Sequence, residues 1–161
     1  MLTRRIFLTT TLAASAAAAV PTWAASFEIT RTPAEWKTLL TPARYAVLRE
    51  AATEKPFSNS YKGEKSPLLK ESRTGTYDCA GCALPVYSSA AKYDSGTGWP
   101  SFYDALPDAI RTKEDNTLFS KRTEVHCRRC GGHLGHVFND GPKPTGKRHC
   151  LNGLALTFTP A

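Results

Sequence analysis

The pattern of hydrophobic and polar positions first indicates two short helices. In TPAEWKTLL, Thr32 provides a helix N-cap, Pro33 occupies the first helical position and Glu35 closes a capping box. The apolar residues predicted to share one face of this helix are Trp36, Leu39 and Leu40. TPARYAVLREAAT repeats the Thr-Pro start at Thr41 and places Tyr45 and Leu48 on a shared face.

After the helices the pattern becomes that of loops and strands. Residues 54–72 are polar and interrupted by Pro and Gly, which predicts a loop. From Gly75 onward, short runs rich in Val, Phe, Tyr and Thr alternate with turn residues, as in β-sheet proteins. The best strand candidates are TEVHC, GHVF, RHCL and LALTF. Because no long helical stretch could supply βαβ crossovers, a parallel sheet is not expected.

Composition limits the class of protein. A chain of 161 residues with 41% hydrophobic and 22% charged residues is typical of one globular domain. The net charge of +7 invites a nucleic-acid hypothesis, but Lys and Arg are scattered among Asp and Glu. We therefore expect no nucleic-acid partner.

Residues 1–24 have the features of an export signal. Arg4 and Arg5 precede an alanine-rich apolar run from 6 to 20, and small residues follow it. A buried helix is the alternative, but the alanines form no apolar stripe. The run is too short for a stable membrane span. TRRIFL resembles a twin-arginine signal, although Thr9 stands where lysine is often found. We expect an exported, periplasmic protein whose mature domain spans 25–161.

The cysteines divide into two CxxC pairs and one single residue. Two residues between thiolates allow both to bind one tetrahedral ion from a tight turn, so four sulfurs would complete one structural zinc site per chain. Disulfides, including cross-paired ones, and a redox-active CxxC are the alternatives. The paired cysteines are Cys79 with Cys82 and Cys127 with Cys130.

Cys150, the single cysteine, is either buried and inert or reactive. If residues 148–152 form a strand, alternation places Arg148, Cys150 and Asn152 on one face, opposite His149 and Leu151. A guanidinium beside a thiol favours the thiolate. His149 is then expected to pack on the far face rather than to exchange protons with the sulfur.

Two other segments carry candidate chemistry. GGHLGHVFNDGP groups His133, His136 and Asp140, which are candidate proton carriers. In SGTGWPSF, Trp99 lies between Gly98 and Pro100, where a rigid indole could form an apolar wall for a methyl or thioether group, or could simply be buried in the core.

These motifs together resemble the peptide-methionine (R)-S-oxide reductase family. The resemblance rests on GTGWPSF, the two CxxC pairs and GHLGHVFNDGPKPTGKRHCLN, and on the order of these motifs along the chain. It extends from residue 32 to 158. It implies a mainly β fold of two antiparallel sheets with short N-terminal helices and a structural zinc remote from the active site.

The resemblance also implies roles for individual residues. Cys150 would be the nucleophile, Trp99 would receive the methyl group of the substrate, and His136 would act as acid toward the sulfoxide oxygen. The products would be methionine and a cysteine sulfenic acid. Residues expected to orient the site, or to lie close to the substrate, are Arg148, Asp140, Asn152 and His133.

One departure from the family bears on how the enzyme is regenerated. Some members carry a resolving cysteine where this chain has Thr97. We therefore expect an external thiol, such as a thioredoxin-like protein, to reduce the sulfenic acid, and we expect a monomer. The rival hypotheses are a zinc-stabilised cysteine hydrolase built on Cys150, His136 and Asp140, and a zinc-scaffold binding module.

Overall fold

The structure, a computed structural model, describes residues 27–116 and 121–161, and the predicted export signal lies outside them. Helix α1 spans Pro33–Leu39 and α2 spans Pro42–Glu50. The capping box is present, because the Thr32 hydroxyl accepts from the Glu35 N–H and the Glu35 carboxylate accepts from the Thr32 N–H. The predicted apolar face is wrong at Leu39, which is 59% exposed. It lies at the end of the helix and points to solvent.

Eleven strands follow in the described residues, and every strand pair is antiparallel. They are β1 Ser60–Tyr61, β2 Glu64–Lys65, β3 Gly75–Cys79, β4 Pro85–Ser88, β5 Lys92–Tyr93, β6 Ser101–Phe102, β7 Ile110–Asp115, β8 Arg122–Cys127, β9 His133–Phe138, β10 Arg148–Leu151 and β11 Leu156–Pro160. The predicted mainly β class is confirmed, as are the strand candidates TEVHC, GHVF and RHCL. LALTF is strand only from Leu156, because Leu154 and Ala155 belong to a 3₁₀ turn that spans Gly153–Ala155.

The strands form two large sheets and a small ribbon. One sheet has six strands in the order β5-β6-β10-β9-β8-β7, and the other has three in the order β11-β3-β4. The two-stranded ribbon β1-β2 lies within the segment 54–72, which is therefore not wholly loop. That segment is also partly buried despite its polarity, since Glu54 is 1% and Asn59 is 2% exposed. The composition of the segment did not indicate this burial, because the buried side chains are themselves polar.

One core joins the helices and both sheets. Its centre is aromatic: the Tyr87 and Tyr77 rings lie 4.6 Å and 4.9 Å from the Phe102 ring. Leu134 and Leu151 are fully buried in the same cluster. Burying such side chains provides most of the free energy that holds β-sheets together. Within residues 27–116 and 121–161, no helix is long and apolar enough to cross a bilayer.

Strand β10 lies in the interior of the six-stranded sheet and carries the single cysteine. Cys150 pairs with His136 of β9 on one side and with Ser101 of β6 on the other. Gly135 of β9 permits this close pairing, because a Cβ at that position would overlap with the Cys150 carbonyl oxygen. The sheet register thus brings the thiol, a histidine and the strand that follows Trp99 together.

Candidate active site

The Cys150 thiol is half-buried at a small cavity. The cavity has a volume of about 130 Å³ and is bounded by the Trp99 indole, the His136 imidazole and the Phe138 ring. Asn152 also lines it. The hydroxyl oxygen of Thr97 lies 3.9 Å from the Cys150 sulfur. The sequence-predicted nucleophile, histidine and tryptophan are therefore in one place, in a cavity that combines aromatic walls with polar side chains.

The charge state of the thiol is set by opposing effects. Burial raises the pKa of Cys150, whereas interactions with Thr97, Arg148 and Ser101 lower it, and the net pKa lies above the ordinary value. The Arg148 guanidinium favours the thiolate, as its place on the same strand face predicts. It does not outweigh burial. The net effect therefore favours the neutral thiol over the thiolate.

Arg148 is itself held in place. Its Nε and Nη2 donate to the two carboxylate oxygens of Asp140 at 2.9 Å and 2.8 Å, and its guanidinium lies 4.4 Å from the Phe138 ring centroid. Asp140 is exposed, and the guanidinium lowers the pKa of its carboxyl. Asp140 therefore contacts Arg148 and orients the guanidinium that acts on Cys150.

His136 is bound to an acidic residue that the sequence analysis missed. Its Nε2 lies 2.7 Å from Oδ2 of Asp115, and the same oxygen accepts from Nη2 of Arg122 at 2.6 Å. Burial lowers the pKa of His136, and Asp115 opposes this effect. With Nε2 bound to Asp115, Nδ1 is the nitrogen left to exchange a proton with a ligand.

Asp115 and Arg122 belong to no recognisable sequence motif. They lie at the ends of β7 and β8, and only the sheet register makes them partners. Arg122 also lines the cavity. A run of charged residues on an edge strand such as β7 usually faces solvent, so polarity gave no signal.

His133 lies beneath His136 rather than at the cavity surface. It is 3% exposed, and its ring centroid is 5.5 Å from that of His136. Its Nδ1 is 3.0 Å from a carboxylate oxygen of Glu124, which also binds Lys113. Burial raises the pKa of Glu124, but these two partners outweigh it and lower the pKa to about 2. His133 therefore supports the His136 ring from below.

Trp99 and Asn152 are both bound to the backbone of Glu54. The indole N–H of Trp99 donates to the Glu54 carbonyl at 3.1 Å, and the Glu54 N–H donates to the amide oxygen of Asn152 at 3.0 Å. Asn152 also donates to the Leu134 carbonyl at 3.4 Å. Both polar ends of the Asn152 amide are thus occupied by backbone groups, so its place at the cavity wall is fixed.

His149 lies on the opposite side of β10 from the thiol, as strand alternation predicts. It is buried, and its Nδ1 is 3.0 Å from the Tyr87 hydroxyl. Burial lowers the pKa of His149.

The other four cysteines form a separate cluster. Their sulfurs all lie within 4.8 Å of one another, and two cross-pairs, Cys79 with Cys130 and Cys82 with Cys127, are 3.7 Å and 3.5 Å apart. A tetrahedral zinc site with Zn–S bonds of about 2.3 Å separates its sulfurs by about 3.8 Å, whereas a disulfide requires about 2.05 Å. The sulfurs therefore fit one tetrahedral metal ion. The cluster comprises Cys79, Cys82, Cys127 and Cys130.

The backbone explains how this cluster is assembled. Cys79 ends β3 and Cys127 ends β8, and each is followed by a tight turn that carries the second cysteine of its pair. Gly132 passes close to the cluster: a Cβ there would lie 3.4 Å from the Cys130 sulfur and 3.0 Å from Leu48 of α2. A metal ion would thus join the three-stranded sheet to the six-stranded sheet.

Fold and site together define a class of protein: an antiparallel β protein with a four-cysteine metal cluster and a separate thiol in a cavity lined by aromatic and histidine side chains. Comparison with known proteins specifies the class. Residues 40–160 match the SelR domain. The chain belongs to this family, the peptide-methionine (R)-S-oxide reductases.

Curated relatives are similar over most of their length. The chain is 50% identical over 133 residues to the peptide methionine sulfoxide reductase MsrB of Methanosarcina mazei, covering 82% of this chain and 90% of that protein. It is 48% identical to MsrB of Thiobacillus denitrificans, covering 81% and 94%. It is 47% identical to the chloroplastic reductase B1 of Arabidopsis thaliana, covering 76% of this chain and 57% of that protein.

Proposed function

We propose that this protein is an oxidoreductase that reduces the R-sulfoxide of methionine to methionine, with Cys150 as the nucleophile. The observation that carries the proposal is a thiol outside the metal cluster, in a cavity bounded by an indole and an imidazole, in a chain of this family. The cavity is small and has apolar walls, which suits a methyl thioether side chain.

In the proposed first step the Cys150 sulfur attacks the sulfoxide sulfur and forms a transient sulfur–sulfur bond, while the sulfur–oxygen bond of the substrate breaks as its oxygen is protonated. The oxygen then bonds to the Cys150 sulfur, the sulfur–sulfur bond breaks with its electron pair going to the substrate sulfur, and the products are methionine and a Cys150 sulfenic acid. One proton must reach the departing oxygen, and the thiol supplies one. His136 is suited to move it, because it pairs with Cys150 across the strands and its Nε2 is held by Asp115. Nδ1 then takes the thiol proton and delivers it to the oxygen.

Trp99 would hold the methyl group attached to the sulfoxide sulfur. Its indole lines the cavity beside the thiol and is anchored through its N–H to Glu54. A fixed aromatic wall favours a group that fits it and leaves the reacting sulfur facing the nucleophile. Preference for the R epimer would follow from this placement of the methyl group relative to Cys150.

In the proposed second step an external thiol reduces the enzyme. Two thiols convert the sulfenic acid to the Cys150 thiol and water and leave as a disulfide. The chain has five cysteines, and four of them form the metal cluster. Where a resolving thiol would stand, this chain has Thr97, whose hydroxyl oxygen lies 3.9 Å from the Cys150 sulfur. We propose that the reductant is a thioredoxin-like dithiol or another external thiol.

We further propose zinc as the ion in the four-cysteine cluster. Four thiolates in a tetrahedral arrangement form a closed site that suits Zn²⁺, which has no redox chemistry of its own. Its role would be to stabilise the junction of the two sheets.

From the predicted export signal of residues 1–24 we further propose that the substrate is oxidised methionine in exported proteins and that the enzyme repairs them in the periplasm. Fractionation of cells that express the full chain tests this. We expect the processed chain in the periplasm, and a double variant with Arg4→Lys and Arg5→Lys should remain in the cytoplasm if the twin-arginine route is used. Processed wild-type chain in the cytoplasm would contradict the proposal.

Turnover of separate R and S epimers of methionine sulfoxide, with dithiothreitol as reductant, tests the activity. We expect methionine from the R epimer with wild-type protein and none with Cys150→Ser. A cysteine hydrolase would instead cleave an ester without reductant and would leave both epimers unchanged. Methionine production by Cys150→Ser would refute the proposed nucleophile.

A further inference from the structure

Glu54 is a buried acidic residue to which the proposed mechanism assigns no role. Its carboxylate oxygen Oε1 accepts hydrogen bonds from the Gly153 N–H at 2.5 Å and from the Asn59 amide at 3.0 Å. Oε2 accepts from the Leu154 N–H at 3.1 Å. Gly153 and Leu154 begin the 3₁₀ turn directly after the strand that carries Cys150. The carboxylate therefore anchors the turn that follows the catalytic strand.

The backbone of Glu54 binds the two cavity walls that flank the thiol. Its carbonyl holds the Trp99 indole at 3.1 Å, and its N–H holds the Asn152 amide at 3.0 Å. Asn59, which binds the Glu54 carboxylate, also donates to the Gly98 carbonyl at 3.2 Å and so holds the residue before Trp99. Through these bonds one residue connects the tryptophan loop, the asparagine and the turn after β10.

This arrangement is costly for folding, which argues for a role beyond stability. Glu54 is 1% exposed, and all of its recorded carboxylate partners are N–H donors rather than charged side chains. Burial raises the pKa of Glu54, opposed by these hydrogen bonds. A buried carboxylate is expensive to desolvate, and an apolar residue commonly serves the core equally well. A carboxylate here gains directional bonds that fix the positions of its neighbours.

We propose that the Glu54 carboxylate has a positioning role. By binding Asn59 and the turn at Gly153 and Leu154, it fixes the Glu54 backbone to which Trp99 and Asn152 are bound, keeps both side chains in register with Cys150, and thereby sets the fit of the cavity to the methyl group on the substrate sulfur. The inference rests on the proposed sulfoxide reductase activity. It makes Glu54 a determinant of specificity that never touches the substrate.

The test compares kcat/KM for the R-sulfoxides of methionine and ethionine, which carries an ethyl group in place of the methyl. One methylene in a fitted apolar pocket changes kcat/KM by about 10- to 200-fold. We expect wild type to prefer the methyl substrate within this range, Glu54→Ala to lose most of the preference, and Glu54→Gln to be intermediate. The amide oxygen of glutamine can keep the hydrogen bonds from Gly153 and Asn59. Its amide NH₂ group then faces the Leu154 N–H, and because both groups are donors that hydrogen bond is lost.

Val86→Ala is the matched control, because Val86 is fully buried in β4 and lies outside the cavity. A general loss of stability lowers kcat/KM for both substrates together, so Val86→Ala should keep the wild-type ratio. An unchanged ratio in Glu54→Ala would overturn the inference. If that variant does not fold, an unchanged ratio in Glu54→Gln would do so. Failure of wild type to reduce either sulfoxide would instead refute the proposed function.

Discussion

Thr97 stands so close to Cys150 that replacing it with cysteine should change the chemistry of regeneration. The Thr97 hydroxyl oxygen is 3.9 Å from the Cys150 sulfur, and a disulfide needs about 2.05 Å. A sulfur in place of that oxygen must therefore approach by about 1.9 Å, which is less than a change of rotamer at either side chain provides. In Thr97→Cys we expect the sulfenic acid formed in one turnover to condense with the new thiol.

The assay is mass spectrometry of intact protein after one turnover without reductant. Wild type should gain one oxygen atom on Cys150, whereas Thr97→Cys should lose two hydrogens and contain a disulfide between residues 97 and 150. Thr112→Cys is the control, since β7 is separated from β10 by three strand spacings, about 14 Å, and should behave as wild type. A wild-type disulfide that includes Cys150, or no disulfide in Thr97→Cys, would refute the reasoning.

Three further results follow from the site geometry. Because burial raises the pKa of Cys150, the rate of its alkylation by iodoacetamide should keep rising with pH beyond the midpoint of free cysteine. Arg148→Ala should slow alkylation at pH 8 about tenfold, because the thiolate loses a charge-assisted interaction. A midpoint for wild type below that of free cysteine would contradict this account. Asp115→Asn should lower kcat about 100-fold with little change in KM, because His136 loses the partner that fixes its proton. A 100-fold loss of kcat/KM that comes from a raised KM, with kcat unchanged, would contradict this and indicate a role in substrate binding. Cys82→Ser should bind less than one metal ion per chain and unfold at a clearly lower temperature, and an unchanged melting temperature would argue against a structural metal.

Features that depend on local sequence were predictable. The helix starts followed from Thr-Pro pairs, whose side-chain and ring chemistry acts within one turn. The metal cluster followed from the CxxC spacing, because each pair is a local turn. The opposite faces of Cys150 and His149 followed from strand alternation alone.

Features that depend on sheet register were not predictable in this way. Asp115 on β7 reaches His136 on β9 across the intervening strand β8, and Glu54 lies about 100 residues from the turn it anchors. No spacing in the sequence encodes such contacts. The buried character of Glu54 was also hidden, since an acidic residue in a polar segment is normally exposed.

The effect of Arg148 on Cys150 shows a second limit. A sequence identifies which charge lies near a thiol, but the extent of burial decides the net pKa. Here burial by the surrounding strands outweighs the guanidinium. The sequence therefore indicated the sign of one contribution and not the sign of the sum.

The account depends most directly on the division of the five sulfurs. Metal analysis combined with thiol titration of the native chain measures this division in one experiment. We expect one zinc ion and one titratable thiol per chain, with the thiol lost in Cys150→Ser and all five thiols titrating after chelation under denaturing conditions. A native chain without zinc, or one whose titratable thiol survives in Cys150→Ser, would contradict the account.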